Sequence, residues 1–122
     1  MKMNKYIDYD FDVLFLGCWN VIPPKFIETD LLKVNKTWTT HAYICKSHYY
    51  NTLIENYTIG CDVKIKNGNT NLNNIDEYTS LLQKTDKWYC LNPIHITQSD
   101  GWSYNFNEVR NYSKLIKHIP LQ

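Results

Sequence analysis

Asp62, His95 and the run from Gln98 to Ser103 are the residues of this chain whose types suit them to chemistry. Asp62 stands beside apolar Ile59 and Val63, where partial desolvation would raise a carboxylate's proton affinity and suit it to act as a general base. The alternative is a loop aspartate that caps nearby backbone amides. His95, between Ile94 and Ile96, offers an imidazole nitrogen to a borderline divalent ion, or is a satisfied structural residue. In the following run, Asp100-Gly101 reads as a turn whose glycine lets backbone amides approach a phosphate, with Gln98, Ser99 and Ser103 as hydrogen-bond donors. Ordinary turn chemistry accounts for the same residues. Trp102 and Tyr104 either stack on a ring or close the core, and the core is the expectation.

Other arrangements carry less. Asp8, Asp10 and Asp12 form an Asp-x-Asp pattern, but the apolar run follows them, so they lie at a strand's amino end, whereas ligands of open α/β sheets bind beyond the carboxyl ends. They read as a solvated turn. Cys45 and His48 lack a third orienting residue, and Cys45 reads as strand interior, which disfavours a thiol nucleophile.

The elements that would position these residues follow from periodicity. The apolar run Asp12 to Gly17 reads as a central strand buried on both faces. Pro23-Pro24 makes Trp19 to Lys36 a surface excursion. Thr37 to Cys45, rich in β-branched and aromatic residues, predicts a second strand. Ser47 as cap, with Tyr50, Leu53, Ile54 and Tyr57 on one face, predicts a helix over about 48–56. Thr58 to Ile65 then reads as extended or loop, placing Asp62 outside the helix, and Lys66 to Asn74 as a polar mobile loop. Asp76 caps a further helix through about Leu82, Trp88 to Leu91 is a short strand, and the tail holds one weak helix before Pro120. One domain is expected over 1–122, with its core at about 8–104 and a tail at 105–122.

A net charge of +1 argues against nucleic acid as a partner. No stretch approaches the roughly 20 apolar residues of a membrane span, and the first residues lack a signal peptide's apolar core, so the expected location is cytoplasmic. Cys18, Cys45, Cys61 and Cys90 form no CxxC pair and read as buried free thiols. Abundant Asn, Lys, Ile and Tyr fit an AT-rich genome, and the sequons at Asn35, Asn56 and Asn111 arise readily in such a composition.

DYDFDVLFLGC, TWTTHAYICKSHYYNTLI and NPIHITQSDGWS occur in this order. Together they resemble the later part of family 25 glycosyltransferases, which move galactose or glucose from a nucleotide sugar onto collagen or lipopolysaccharide acceptors. The resemblance spans Asp8 to about Ser103. It implies a partial GT-A-like α/β domain, a mixed sheet with flanking helices lacking the N-terminal nucleotide-binding half, in which the family's Glu-Asp-Asp type motif has no counterpart. It makes Asp62 the acceptor-facing base and His95 a metal or diphosphate contact. Thr40, Tyr43, Gln98, Asp100, Gly101 and Ser103 become substrate contacts. Strand alternation places Thr40 with Ala42 on one face and His41 with Tyr43 on the other, and leaves open which pair faces the cleft. The implied ligands are a UDP-sugar donor, a glycan or protein acceptor, and manganese held with ligands from another chain. A homodimer or a partner supplying the missing half is the implied assembly. The alternative function is a catalytically inactive binding or assembly module.

Overall fold

The computed structural model describes residues 2–67, 75–104, 106–117 and 120. A 3-10 turn at Lys2–Lys5 leads through Tyr6 and Phe11 into β1 (Val13–Ile22), followed by β2 (Lys25–Glu28), β3 (Leu31–Lys33) and β4 (Lys36–Cys45). A turn at Ser47–Tyr49 opens α1 (Tyr50–Asn67). Next come α2 (Ile75–Gln83), β5 (Trp88–Leu91), β6 (Gly101–Ser103), β7 (Glu108–Arg110) and α3 (Tyr112–Leu115).

The main sheet is mixed, in the order β2-β3-β5-β1-β4. β1 runs parallel to β5 and antiparallel to β4, so the apolar run at Val13 is interior to the sheet, as expected. Its successive side chains enter opposite layers, as a period of two requires. Val13 and Phe15 join Tyr49, Leu53, Trp88 and Cys90 beneath the helices, and Cys18 joins them out of phase, across the register shifts around Gly17. Leu14 joins Tyr6, Phe11, Leu31 and Leu91 on the other face. The result is an α/β layer with its long helices on one side and the N-terminal segment closing the other.

Several expected boundaries are corrected. The excursion expected over Trp19 to Lys36 is largely sheet: β1 continues to Ile22, and after the prolines a β2-β3 hairpin returns to pair with β5, burying Leu31 and Leu32. α1 does not stop near Asn56 but runs to Asn67, so Thr58 to Ile65 is helical. Gly60, which looks like a stop, is instead the contact point of the two helices: a Cβ there would lie 3.1 Å from the Tyr78 ring. The loop expected over 66–74 begins inside α1, and 68–74 lie outside the described residues. The boundary expected between core and tail at 104/105 falls inside the β6-β7 hairpin, so the tail contributes β7 to it before the short α3.

Gly17 shows how the segment after β5 is seated. His95 and Ile96 donate their backbone N–H groups to the Leu16 carbonyl at 2.9 and 3.2 Å. A Cβ on Gly17 would fall 1.7 Å from the Ile96 carbonyl oxygen. Only glycine lets the chain cross β1 at this height.

Candidate functional site

A cleft of about 730 Å³ opens between β4, the start of α2 and the C-terminal hairpin. Its origin is an irregularity in β4. Trp19 faces Trp38 and Gly17 faces Ala42, so Thr39, Thr40 and His41 stand opposite Cys18 alone. Such a bulge bends the strand and re-aims its side chains. Thr39 takes a φ of 68°, a left-handed conformation that a β-branched residue adopts only when its surroundings impose it. Those surroundings are visible: Thr39 donates its N–H to Asp76 Oδ2 at 3.3 Å, and its Oγ1 accepts the Trp19 N–H at 3.1 Å.

The bulge cancels the alternation expected for the strand. Thr40 and His41 both line the cleft. Tyr43 turns to the helical side, where its ring meets Phe15 edge-on and its hydroxyl bonds Tyr57 at 3.0 Å. His41 Nε2 lies 3.0 Å from the Ile96 carbonyl. A carbonyl only accepts, so Nε2 is the donor in this contact, and Nδ1 is buried with no partner among the described residues.

Trp19 and Trp38 form one wall, edge to face with centroids 5.1 Å apart. Lys36 spans this wall and α2: its ammonium sits 5.4 Å from the Trp38 ring centre and 2.8 Å from Glu77 Oε1. Trp38 Nε1 donates to Glu77 Oε2 at 2.6 Å. Each Glu77 oxygen thereby takes one bond in holding Trp38 and Lys36 in place. Each Asp76 oxygen likewise takes one, from the amides of Glu77 and Thr39, and since a carboxylate has about four acceptor positions both side chains have capacity for a ligand. Arg110 also lines the cleft, its guanidinium 4.2 Å from the Phe106 ring centre and paired with Glu108 at 2.6 Å. Lys64, Gln98 and Tyr112 complete the rim.

The residues expected to carry chemistry are distributed differently. Thr40 and Gln98 are in the cleft. Gln98, Asp100, Gly101 and Ser103 line a shallower depression of about 430 Å³ beside it. Asp100 is also the tie between hairpin and tail, accepting from Ser113 N at 2.8 Å and Ser113 Oγ at 3.0 Å. Gly101 is the first residue of β6. Asp62 is exposed on α1. Residues two apart on a helix point about 200° from one another, so with Lys64 on the cleft rim Asp62 faces away. His95 is exposed in the segment that crosses Gly17. Neither Asp62 nor His95 lines the cleft, so the expected convergence of the two does not occur there.

Among the described residues no group of His, Cys, Asp and Glu is placed to hold a metal ion, and His95 has no carboxylates gathered around it to serve manganese. The Asp8 to Asp12 cluster behaves as a turn: Asp12 bonds His48 at 2.7 Å and the Lys87 amide at 2.9 Å, and Asp10 pairs with Lys87 at 2.6 Å. Cys18 and Cys90 are buried free thiols with sulfurs 3.2 Å apart. Their mutual hydrogen bond and burial push the Cys18 thiol well above its ordinary range, which keeps it protonated and unreactive. Cys61, expected to be buried, is exposed on α1.

Lys36, Trp38, Asp76, Glu77 and Arg110 were not visible as a group in the sequence. The available signal was the spacing of Lys36 and Trp38, which puts a cation and a ring on one strand face. Asp76 read only as a helix cap.

No family model, curated protein or solved structure matches the chain.

Proposed function

We propose that the cleft binds a hexose carried by a nucleotide donor or a glycan acceptor, and that the chain is a glycosyltransferase-like domain related to family 25. The observation that supports this reading most is the pairing of an indole wall, Trp19 and Trp38, with Asp76 and Arg110 across one opening. A sugar ring presents apolar C–H faces and a rim of hydroxyls. Aromatic faces suit the first, and charged or amide side chains with bonds to spare suit the second. Trp38 is held by Glu77 before any ligand arrives, so little ordering cost falls on binding.

In the transfer step, an acceptor hydroxyl oxygen forms the new bond to the anomeric carbon while that carbon's bond to the diphosphate oxygen breaks. The electron pair leaves with the nucleoside diphosphate, and the hydroxyl proton passes to Asp76. Asp76 takes this role in place of Asp62 because it faces the cleft. Manganese, in this reading, is held by carboxylates of another chain. A second reading, sugar binding without transfer, is favoured by the two backbone amides that already engage Asp76, which give its carboxylate a local structural role.

Calorimetric titration with UDP-galactose, UDP-glucose, galactose and glucose tests the proposal. Binding of at least one of them is expected. Trp38→Ala should weaken it by roughly tenfold or more, the scale of a lost aromatic contact plus its bond to Glu77. Asp76→Asn should abolish UDP release in the presence of acceptor while Asp62→Asn retains it. Binding indifferent to Trp38 and Asp76 would refute the assignment.

A further inference from the structure

The β6-β7 hairpin presents aromatic side chains that take no part in the core. Trp102 is 53% exposed and Tyr104 91% exposed, contrary to the expectation that they close it. Trp102 stands across from Val109, itself exposed, in the hairpin register. Contiguous uncovered aromatic surface marks a contact site.

The setting narrows what the contact is. Trp102 and Tyr104 border the depression of about 430 Å³ whose other walls are Gln98, Asp100, Ser103 and Tyr112. Gln98 and Tyr112 also line the main cleft, so the two depressions are continuous across a shared rim. The hairpin is fixed to the cleft: Gly101 pairs with Arg110, whose side chain forms the cleft wall, and Asp100 ties its base to Ser113. Rings alternate here with amide, hydroxyl and carboxylate groups. A protein partner's apolar anchor would meet these polar groups unsatisfied, and an anionic lipid surface would meet Asp100. A ligand with a C–H face and a hydroxyl rim meets both kinds of group.

We infer that Trp102 and Tyr104 form a second sugar subsite, so that the ligand of this chain is an oligosaccharide of at least two hexose units lying across Gln98 and Tyr112. The inference rests on the cleft holding the first hexose, as proposed above. The terminal unit occupies the Trp38 wall and the next unit lies over the Trp102 ring, with Gln98 bonding its hydroxyls. An acceptor glycan is therefore read over more than its terminal residue.

The test is a titration of the full chain with galactose, galactobiose and galactotriose, and in parallel with glucose, maltose and maltotriose, followed by NMR shift changes. Affinity should rise by roughly 5–10-fold from one unit to two in the matching series, the scale of one added ring contact. Trp102→Ala and Tyr104→Ala should each bring the disaccharide down toward the monosaccharide. Tyr104, being almost fully exposed, can be removed without touching the core, so this variant keeps the test valid if Trp102→Ala disturbs the hairpin. Equal affinities for one, two and three units, with shifts confined to Trp38 and Arg110, would overturn the second subsite and leave the first standing. Absence of binding by every sugar in both series would overturn both.

Discussion

Gln83 shows at the scale of one residue how the cleft's strand is held. Its side chain accepts the Thr37 N–H at 2.7 Å and donates to the Thr37 carbonyl at 3.2 Å, which is what a neighbouring strand would do for that residue. Both residues are buried, at 1% exposure, so water cannot replace the amide. Gln83→Ala should cost on the order of 1–3 kcal/mol for each group left unpaired, read as a lower urea midpoint at unchanged slope. Gln83→Glu sets a buried carboxyl against the Thr37 carbonyl and should cost at least as much. A midpoint unmoved by both would show that the contact does not bear on the edge. None of this was readable from the sequence, where Gln83 is merely the end of a polar helix face. Asp76 was likewise legible as a residue with a local role, while its place beside Thr39 in the cleft depends on long-range packing that no local pattern encodes. Asp62 drew attention because the helix was expected to end before it.

At the scale of elements, strands were the most legible. Val13, Trp88 and the Thr37 to Cys45 run announce β1, β5 and β4 because β-branched and aromatic residues suit a pleated surface. Helix length was less so: Thr58 and Gly60 lower helix propensity, and the packing of Gly60 on Tyr78 outweighs it. The β2-β3 hairpin was hidden behind Pro23-Pro24, which end β1 without preventing the chain from rejoining the sheet two strands away. Gly17 looked like a strand terminator and is instead an interior residue under a crossing segment. Gly17→Ala drives a Cβ into the Ile96 carbonyl, and the resulting shift should cost about 1–3 kcal/mol. Thermal melting should report a drop of at least about 4 °C, with faster amide exchange at His95 and Ile96, whose bonds to Leu16 are the ones displaced. An unchanged melting temperature would mean that the 95–96 segment is free to lift from β1.

For the molecule as a whole, the same features that close the sheet make the opening beside it. α2 lies along β4 and covers its outer edge at Thr37 through Gln83 and at Thr39 through Asp76, so that stretch of edge is not open to another strand. Where this cover stops, the bulge begins, and the hairpin from Gly101 to Arg110 stands across the gap. No helix among the described residues is long and apolar enough to cross a membrane. An α/β layer was readable from the order of elements; the cleft was not, because it is built from a strand irregularity, a helix start and a tail that meet only in three dimensions.

Mapping backbone amide shifts during titration with UDP-galactose and with galactotriose addresses the location of sugar binding most directly. The cleft predicts that the largest changes fall at Trp38, Thr39, Asp76 and Arg110. Asp62 and His95 should stay still. Shifts concentrated at Asp62 and His95, with Trp38 and Asp76 silent, would contradict it.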